Sequence, residues 1–151
     1  MRVLFVCRAN ICRSFMAERV FRRRLKEHNR NDIEVSSAAL YDMGRASADP
    51  RAVDLLNKKG FDGYGHRSRL LTEDMIAEAD KVIAMERANQ EVIIDKYPVA
   101  ECKVYLLKSF SENYNGLDED IKDPSGRSDY HYRLCFAEIY MAIDGLTKRC
   151  I

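Results

Sequence analysis

No apolar run in this 151-residue chain approaches the ~20 residues that a membrane-spanning helix requires. Net charge is nearly absent: 25 Lys and Arg stand against 24 Asp and Glu. No overall field therefore points to nucleic acid or an anionic membrane surface as a partner. The triplet Arg22, Arg23, Arg24 is a local exception, on the outer face of the first helical segment, where it reads as solvated surface. The opening residues MRVLFVCRAN turn charged and polar too early for a signal peptide. Five cysteines, an odd number, weaken any disulfide framework and fit free thiols in a reducing compartment. Cys7 and Cys12 have no second close Cys/His pair, which argues against a structural zinc site. No repeat, low-complexity tract or linker interrupts the chain. The expectation is a cytoplasmic globular protein, one domain over residues 1–151, with 46% apolar residues and enough length to bury a core.

What the chain does have is alternation. RVLFV reads as a buried strand, and Met16, Ala17, Val20, Phe21 and Leu25 then recur at helical spacing. DIEVSSAA is a second strand. DPRAVDLLNKKG is a punctuated helix, with Asp49 as N-cap, Pro50 in the first turn and Gly60 past its end. Thr72 caps EDMIAEA, DKVIAM is a third strand, ERANQEVIIDKYP a helix stopped near Pro98, and KVYLL a fourth strand. A final helix carries Tyr132, Cys135, Phe136, Ile139, Tyr140, Ile143 and Leu146 as a core stripe. The pattern predicts an α/β fold with a mainly parallel sheet.

In such folds ligands bind where strands end and helices begin. Cys7 to Ser14 occupies that junction after the first strand. Loop N–H groups and the helix N-terminus can converge there on an anion, and the same field favours a thiolate at Cys7. Arg13 can hold two phosphate oxygens and stabilise moving charge. Ser14 can donate to the sulfur and make it a better leaving group. The spacing Cys-x5-Arg-Ser thus suits nucleophilic catalysis on a phosphate ester, although a buried structural cysteine with a chance arginine is the competing reading.

VLFVCRANICRS resembles the phosphate-binding loop of the low-molecular-weight protein tyrosine phosphatases, V-C-x-G-N-x-C-R-S-P. SSAALYDMGRASADPRAVDLL, GHRSRLLT, VIAME, VYLLKSFS and KDPSG are similar, in order, to that family's later blocks. The resemblance implies a three-layer sandwich around a four-stranded parallel sheet, with the phosphate loop after strand 1. It implies Cys7 as nucleophile, Arg13 as phosphate and transition-state binder, and Asp123 as general acid and then base. The loop Arg8, Ala9, Asn10, Ile11, Cys12 and Ser14, with Tyr41 on the rim, would hold the substrate. Asn10, Ser14, Ser37 and His66 would support the loop. Cys12 would form a reversible disulfide with Cys7. No metal or organic cofactor is implied. Phosphotyrosine proteins would be the partners of a monomer or weak dimer.

The chain departs from that pattern in three ways. Ala9 replaces the loop glycine, where a left-handed backbone would be costly. Arg8 follows the cysteine and Phe15 replaces the proline after the serine; both fall at the mouth, where Arg8 would attract anions or simply face solvent. Ser125 and Gly126 follow Asp-Pro where an aromatic wall is usual, leaving Tyr41 as the retained wall and Tyr130 or Tyr132 as candidates to fold back. Protein arginine phosphatases share the fold but tend to carry threonine where this chain has Ile11, so phosphotyrosine is the favoured substrate. An arsenate reductase would need two further cysteines close together, which Cys102, Cys135 and Cys150 do not provide. A phosphate-binding module without turnover would need neither Cys7 nor Asp123.

Overall fold

The computed structural model describes residues 1–150. Strand β1 (Arg2–Cys7) lies inside a four-stranded parallel sheet of order β2-β1-β3-β4. Its neighbours are β2 (Glu34–Ala39) and β3 (Lys81–Ala84), with β4 (Val104–Leu106) beyond β3. The helices are α1 (Arg13–Glu27), α2 (Pro50–Lys58), α3 (Glu73–Glu78), α4 (Arg87–Lys96) and α5 (Asp129–Cys150).

Strand period decides which face each residue joins. Val3, Phe5 and Cys7 turn to one face of β1, into a core with Phe15, Val20 and Phe21 of α1 and Ile139 and Ile143 of α5. Leu4 and Val6 turn to the other, against Ile76 of α3 and Ile93 of α4. Each fully buried side chain of this size stabilises the fold by roughly 1.5–3 kcal/mol, so both faces of β1 are strongly fixed. Cys7 is thereby delivered at the end of a rigid strand on the α1/α5 side. Connections leave β1 toward β2 on one flank and return to β3 on the other, so the crevice of this fold opens at the end of β1.

The expected three layers and four parallel strands are present. The second strand begins at Glu34 rather than Asp32, and the fourth is short, bracketed by 3-10 turns at Pro98–Lys103 and Leu107–Phe110. The second of these turns seats directly under α5. A Cβ at Gly145 would fall 1.8 Å from the Phe110 carbonyl oxygen, so only glycine permits that approach. The basic triplet is largely neutralised in place, Arg22 by Glu18 and both Arg23 and Arg24 by Glu27. No helix among the described residues is long and apolar enough to cross a membrane.

Candidate active site

The loop from Cys7 to Arg13 closes on its own sulfur. The Asn10 backbone N–H donates to Cys7 Sγ at 3.3 Å, and the Ser14 hydroxyl lies 3.0 Å from the same atom. What bends the loop is Asn10, in the left-handed region at φ 54°. Asparagine visits that region more readily than most side chains because its short amide can bond locally. Ala9 has no positive φ. The feared cost at that position does not arise, because the turn is carried one residue later.

Asn10 is fully buried, and every polar atom of its side chain is used. Its Nδ2 donates to Ser14 Oγ at 2.8 Å and Ser37 Oγ at 2.9 Å, while its Oδ1 accepts the Arg69 N–H at 3.1 Å. Ser37 in turn donates to the carboxylate of Glu18, a nearly buried residue on α1. These contacts set the direction of every proton in the chain. A carboxylate only accepts, so Ser37 donates to it, and an amide NH2 only donates, so Ser14 receives from Asn10. The Ser14 proton is then free for the sulfur. The sequence of donors thus ends on Cys7 Sγ.

The outside of the loop is held by the segment that follows α2. Ser68 Oγ donates to the Ala9 carbonyl at 2.8 Å, and His66 Nε2 lies 2.7 Å from the Asn10 carbonyl. That carbonyl can only accept, so Nε2 carries the proton. Asp49, the N-cap of α2, donates its N–H to the Ile11 carbonyl at 2.9 Å. Burial lowers the His66 pKa below its ordinary 6.5, against the opposing pull of its bond to Asn10. The unfolded chain therefore binds the extra proton more readily, and this contribution to stability is present above about 6.5 and lost as pH falls through the folded value. Melting temperature is expected to drop more between pH 7.5 and 5.5 in wild type than in His66→Gln. Parallel curves in thermal melts would contradict this.

Arg13 is 2% exposed yet keeps its charge, because anionic groups surround it. Burial would lower its pKa, but Cys7, Glu86 and Asp123 together raise it. Its Nη1 is spent on the Glu86 carboxylate and, at 3.0 Å, on the Ile121 carbonyl. Its Nη2 stands 3.8 Å from Asp123 Oδ2. Asp123 is part-exposed, and its other oxygen accepts the Ser125 N–H at 3.0 Å. Arg13 thus links the Asp123 carboxylate to the loop that closes on the Cys7 thiol. Burial and the neighbouring Cys135, Asp49 and Cys7 push the Cys12 thiol far above its ordinary range, while Cys135 is pushed up to about 12, chiefly by burial. All five cysteines are free thiols.

At the rim, Tyr41 is 54% exposed, with the Arg8 guanidinium 5.4 Å from its ring centre. Arg8 is therefore exposed and packed on the Tyr41 ring. Phe15, in place of the usual proline, does not reach the mouth: it is fully buried and stacks on His66 at 4.5 Å. Tyr132 does not fold back over the site. It is buried, its hydroxyl bonds Asp49, and its ring lies beneath Arg51. Tyr130 is exposed and packs edge-on against His131. Glu86, Glu18, Ser68 and Arg69 are the site residues that sequence reading passed over. Glu86 had a signal, being a carboxylate just past a strand's C-terminal end.

This fold and loop define a class, the phosphatases that work from a cysteine at the end of the first strand. The chain belongs to the low molecular weight phosphotyrosine protein phosphatase family, whose model matches residues 2–150. It is 34% identical over 148 residues to a protein-arginine-phosphatase of Geobacillus stearothermophilus, covering 98% of this chain and 95% of that protein. It is 36% identical over 124 residues to the low molecular weight phosphotyrosine protein phosphatase of Sus scrofa, covering 78% and 77% of the two chains. Among solved structures, the low molecular weight protein tyrosine phosphatase from T. tengcongensis superposes with a TM-score of 0.90 at 35% identity, over 99% of each chain.

Proposed function

We propose that this chain is a protein tyrosine phosphatase that works through a phosphocysteine intermediate. The Cys7 thiolate attacks phosphorus as the ester P–O bond breaks, and the departing phenolate takes its proton from Asp123. The Asp123 carboxylate then removes a proton from water, whose oxygen attacks phosphorus. The P–S bond breaks, and the electron pair returns to a sulfur that receives the Ser14 hydroxyl. One observation carries the reading: the donors around Cys7 Sγ are ordered, through Asn10 and Ser37, by the Glu18 carboxylate. A structural cysteine needs no such arrangement. Cys12, kept protonated by burial, is suited to be the reserve thiol that pairs with Cys7 after oxidation.

Phosphotyrosine is favoured over phosphoarginine by Ile11. A phosphoarginine leaves N–H donors beside the phosphate that require acceptors, and an apolar side chain offers none. The half-exposed Tyr41 ring suits an aryl group better. Phosphoarginine is the second reading, supported by likeness to the Geobacillus protein and by Ser125–Gly126 in place of a second aromatic wall. Matched peptides bearing phosphotyrosine, phosphoarginine or phosphoserine separate the two. Phosphotyrosine is expected to give a kcat/KM at least about tenfold above phosphoarginine, with phosphoserine essentially untouched. The reverse ranking would reassign the substrate, and equal turnover of phosphoserine would reject both.

A further inference from the structure

We propose that Asp49, Arg51 and Tyr132 form a clamp that positions Asp123 over Cys7 by tying the cysteine loop to the start of α5. The inference rests on the reading of Asp123 as the acid. None of the three residues touches the reacting atoms, so they are positioning residues.

The connections run without a gap from one loop to the other. The Asp49 N–H holds the Ile11 carbonyl of the cysteine loop at 2.9 Å. The Asp49 carboxylate has two tasks: Oδ1 accepts the Arg51 N–H at 2.9 Å and caps α2, while Oδ2 accepts the Tyr132 hydroxyl at 2.5 Å. Burial and that bond raise the Tyr132 pKa, so the phenol stays a donor. Arg51 lies 4.2 Å over the Tyr132 ring, donates to the Arg127 carbonyl at 2.7 Å and pairs with Asp129.

Asp123 sits between two anchors of this kind. Upstream, the Ile121 carbonyl is bound by Arg13 at 3.0 Å and its N–H donates to Met85 at 2.9 Å. Downstream, Arg127 turns back to the Pro124 carbonyl at 2.9 Å, and Gly126 takes the positive φ of 76° that this turn demands. Pro124 is buried directly after Asp123, but the residues that lead from it to α5, Ser125, Gly126, Arg127 and Ser128, are all exposed. Without Arg51 and Tyr132, that exposed stretch between Asp123 and α5 would lose its ties to the start of α2. A misplacement of about 1 Å at a catalytic group can cost on the order of a hundredfold in rate.

The test separates positioning of the acid from general loosening, because an acid matters only when the leaving group needs a proton. Tyr132→Phe removes one hydroxyl and keeps the ring under Arg51; Arg51→Gln breaks the other tie from an exposed position. With phenyl phosphate, whose leaving phenolate has a conjugate acid pKa of about 10, each variant is expected to lose about tenfold in kcat/KM. With 2,4-dinitrophenyl phosphate, which departs unprotonated, the expected loss is below about twofold. With Asp123→Asn already present, Tyr132→Phe is expected to add less than about twofold on either substrate. Equal losses on both substrates, no loss on phenyl phosphate, or full additivity with Asp123→Asn would each overturn the clamp. Failure of the wild type to hydrolyse either ester would instead strike the functional reading.

Discussion

Cys7→Ser is expected to reduce kcat on an aryl phosphate by at least about 10⁴-fold while leaving the affinity for inorganic phosphate within a few-fold. The asymmetry follows from what the site does with each group. Serine fits the space, and its oxygen can still face the Ser14 hydroxyl and the Asn10 N–H that now serve the sulfur. An alkyl hydroxyl does not ionise near neutral pH, and no side chain in contact with Cys7 is built to take its proton. Ser14 is committed by Asn10 to donating, and Asn10 is committed by Ser37 and Glu18. The network is arranged to stabilise an anion rather than to take a proton from an alcohol, so turnover through serine is slow. Arg13 and its Glu86 and Ile121 partners remain, so phosphate binding persists. Steady-state kinetics and calorimetric titration with phosphate read the two quantities. If kcat survived, Cys7 would not be the nucleophile.

Much of this was visible in the chain itself, for local reasons. The β1 run and the cysteine that ends it, the capped start of α2 at Asp49-Pro50, and the apolar stripe of α5 are all patterns within a few residues. The loop motif also names Cys7, Arg13, Ser14 and Asn10 at fixed spacing. Hidden were the partners supplied across long separations. Glu86 meets Arg13 from 73 residues away, and Glu18 reaches the sulfur only through Ser37 and Asn10. A carboxylate at a strand end or on a helix face has many ordinary explanations, and only sheet order decides which arginine or serine it will face. The Ala9 and Tyr132 positions show the same limit. Spacing could not tell that the left-handed turn falls on Asn10, nor that the Tyr132 hydroxyl is taken by Asp49.

Arg13→Lys carries the second large effect, an expected loss of about 10²–10³-fold in kcat/KM, most of it in kcat. Both side chains are cations, so the difference lies in how many directions each can serve at once. Arg13 uses Nη1 to meet Glu86 and the Ile121 carbonyl, and that anchoring leaves the rest of the fork free for the two oxygens of a phosphoryl group in flight. A lysine has one nitrogen. Held by Glu86, it would sit away from the substrate; turned toward the substrate, it would leave a part-buried carboxylate unpaired. Either outcome withdraws stabilisation where charge develops in transfer, so kcat falls further than binding weakens. Glu86→Gln isolates the anchor, because the amide oxygen still accepts one N–H while the charge is lost. Its expected cost is about tenfold in the wild-type background, with less than about twofold further loss in the Arg13→Lys background because the fork it would steady is gone. Measuring kcat and KM for the two single variants and the double variant checks the scheme. Arg13→Lys with wild-type kcat would show that a point charge suffices and that the fork has no part in the reaction.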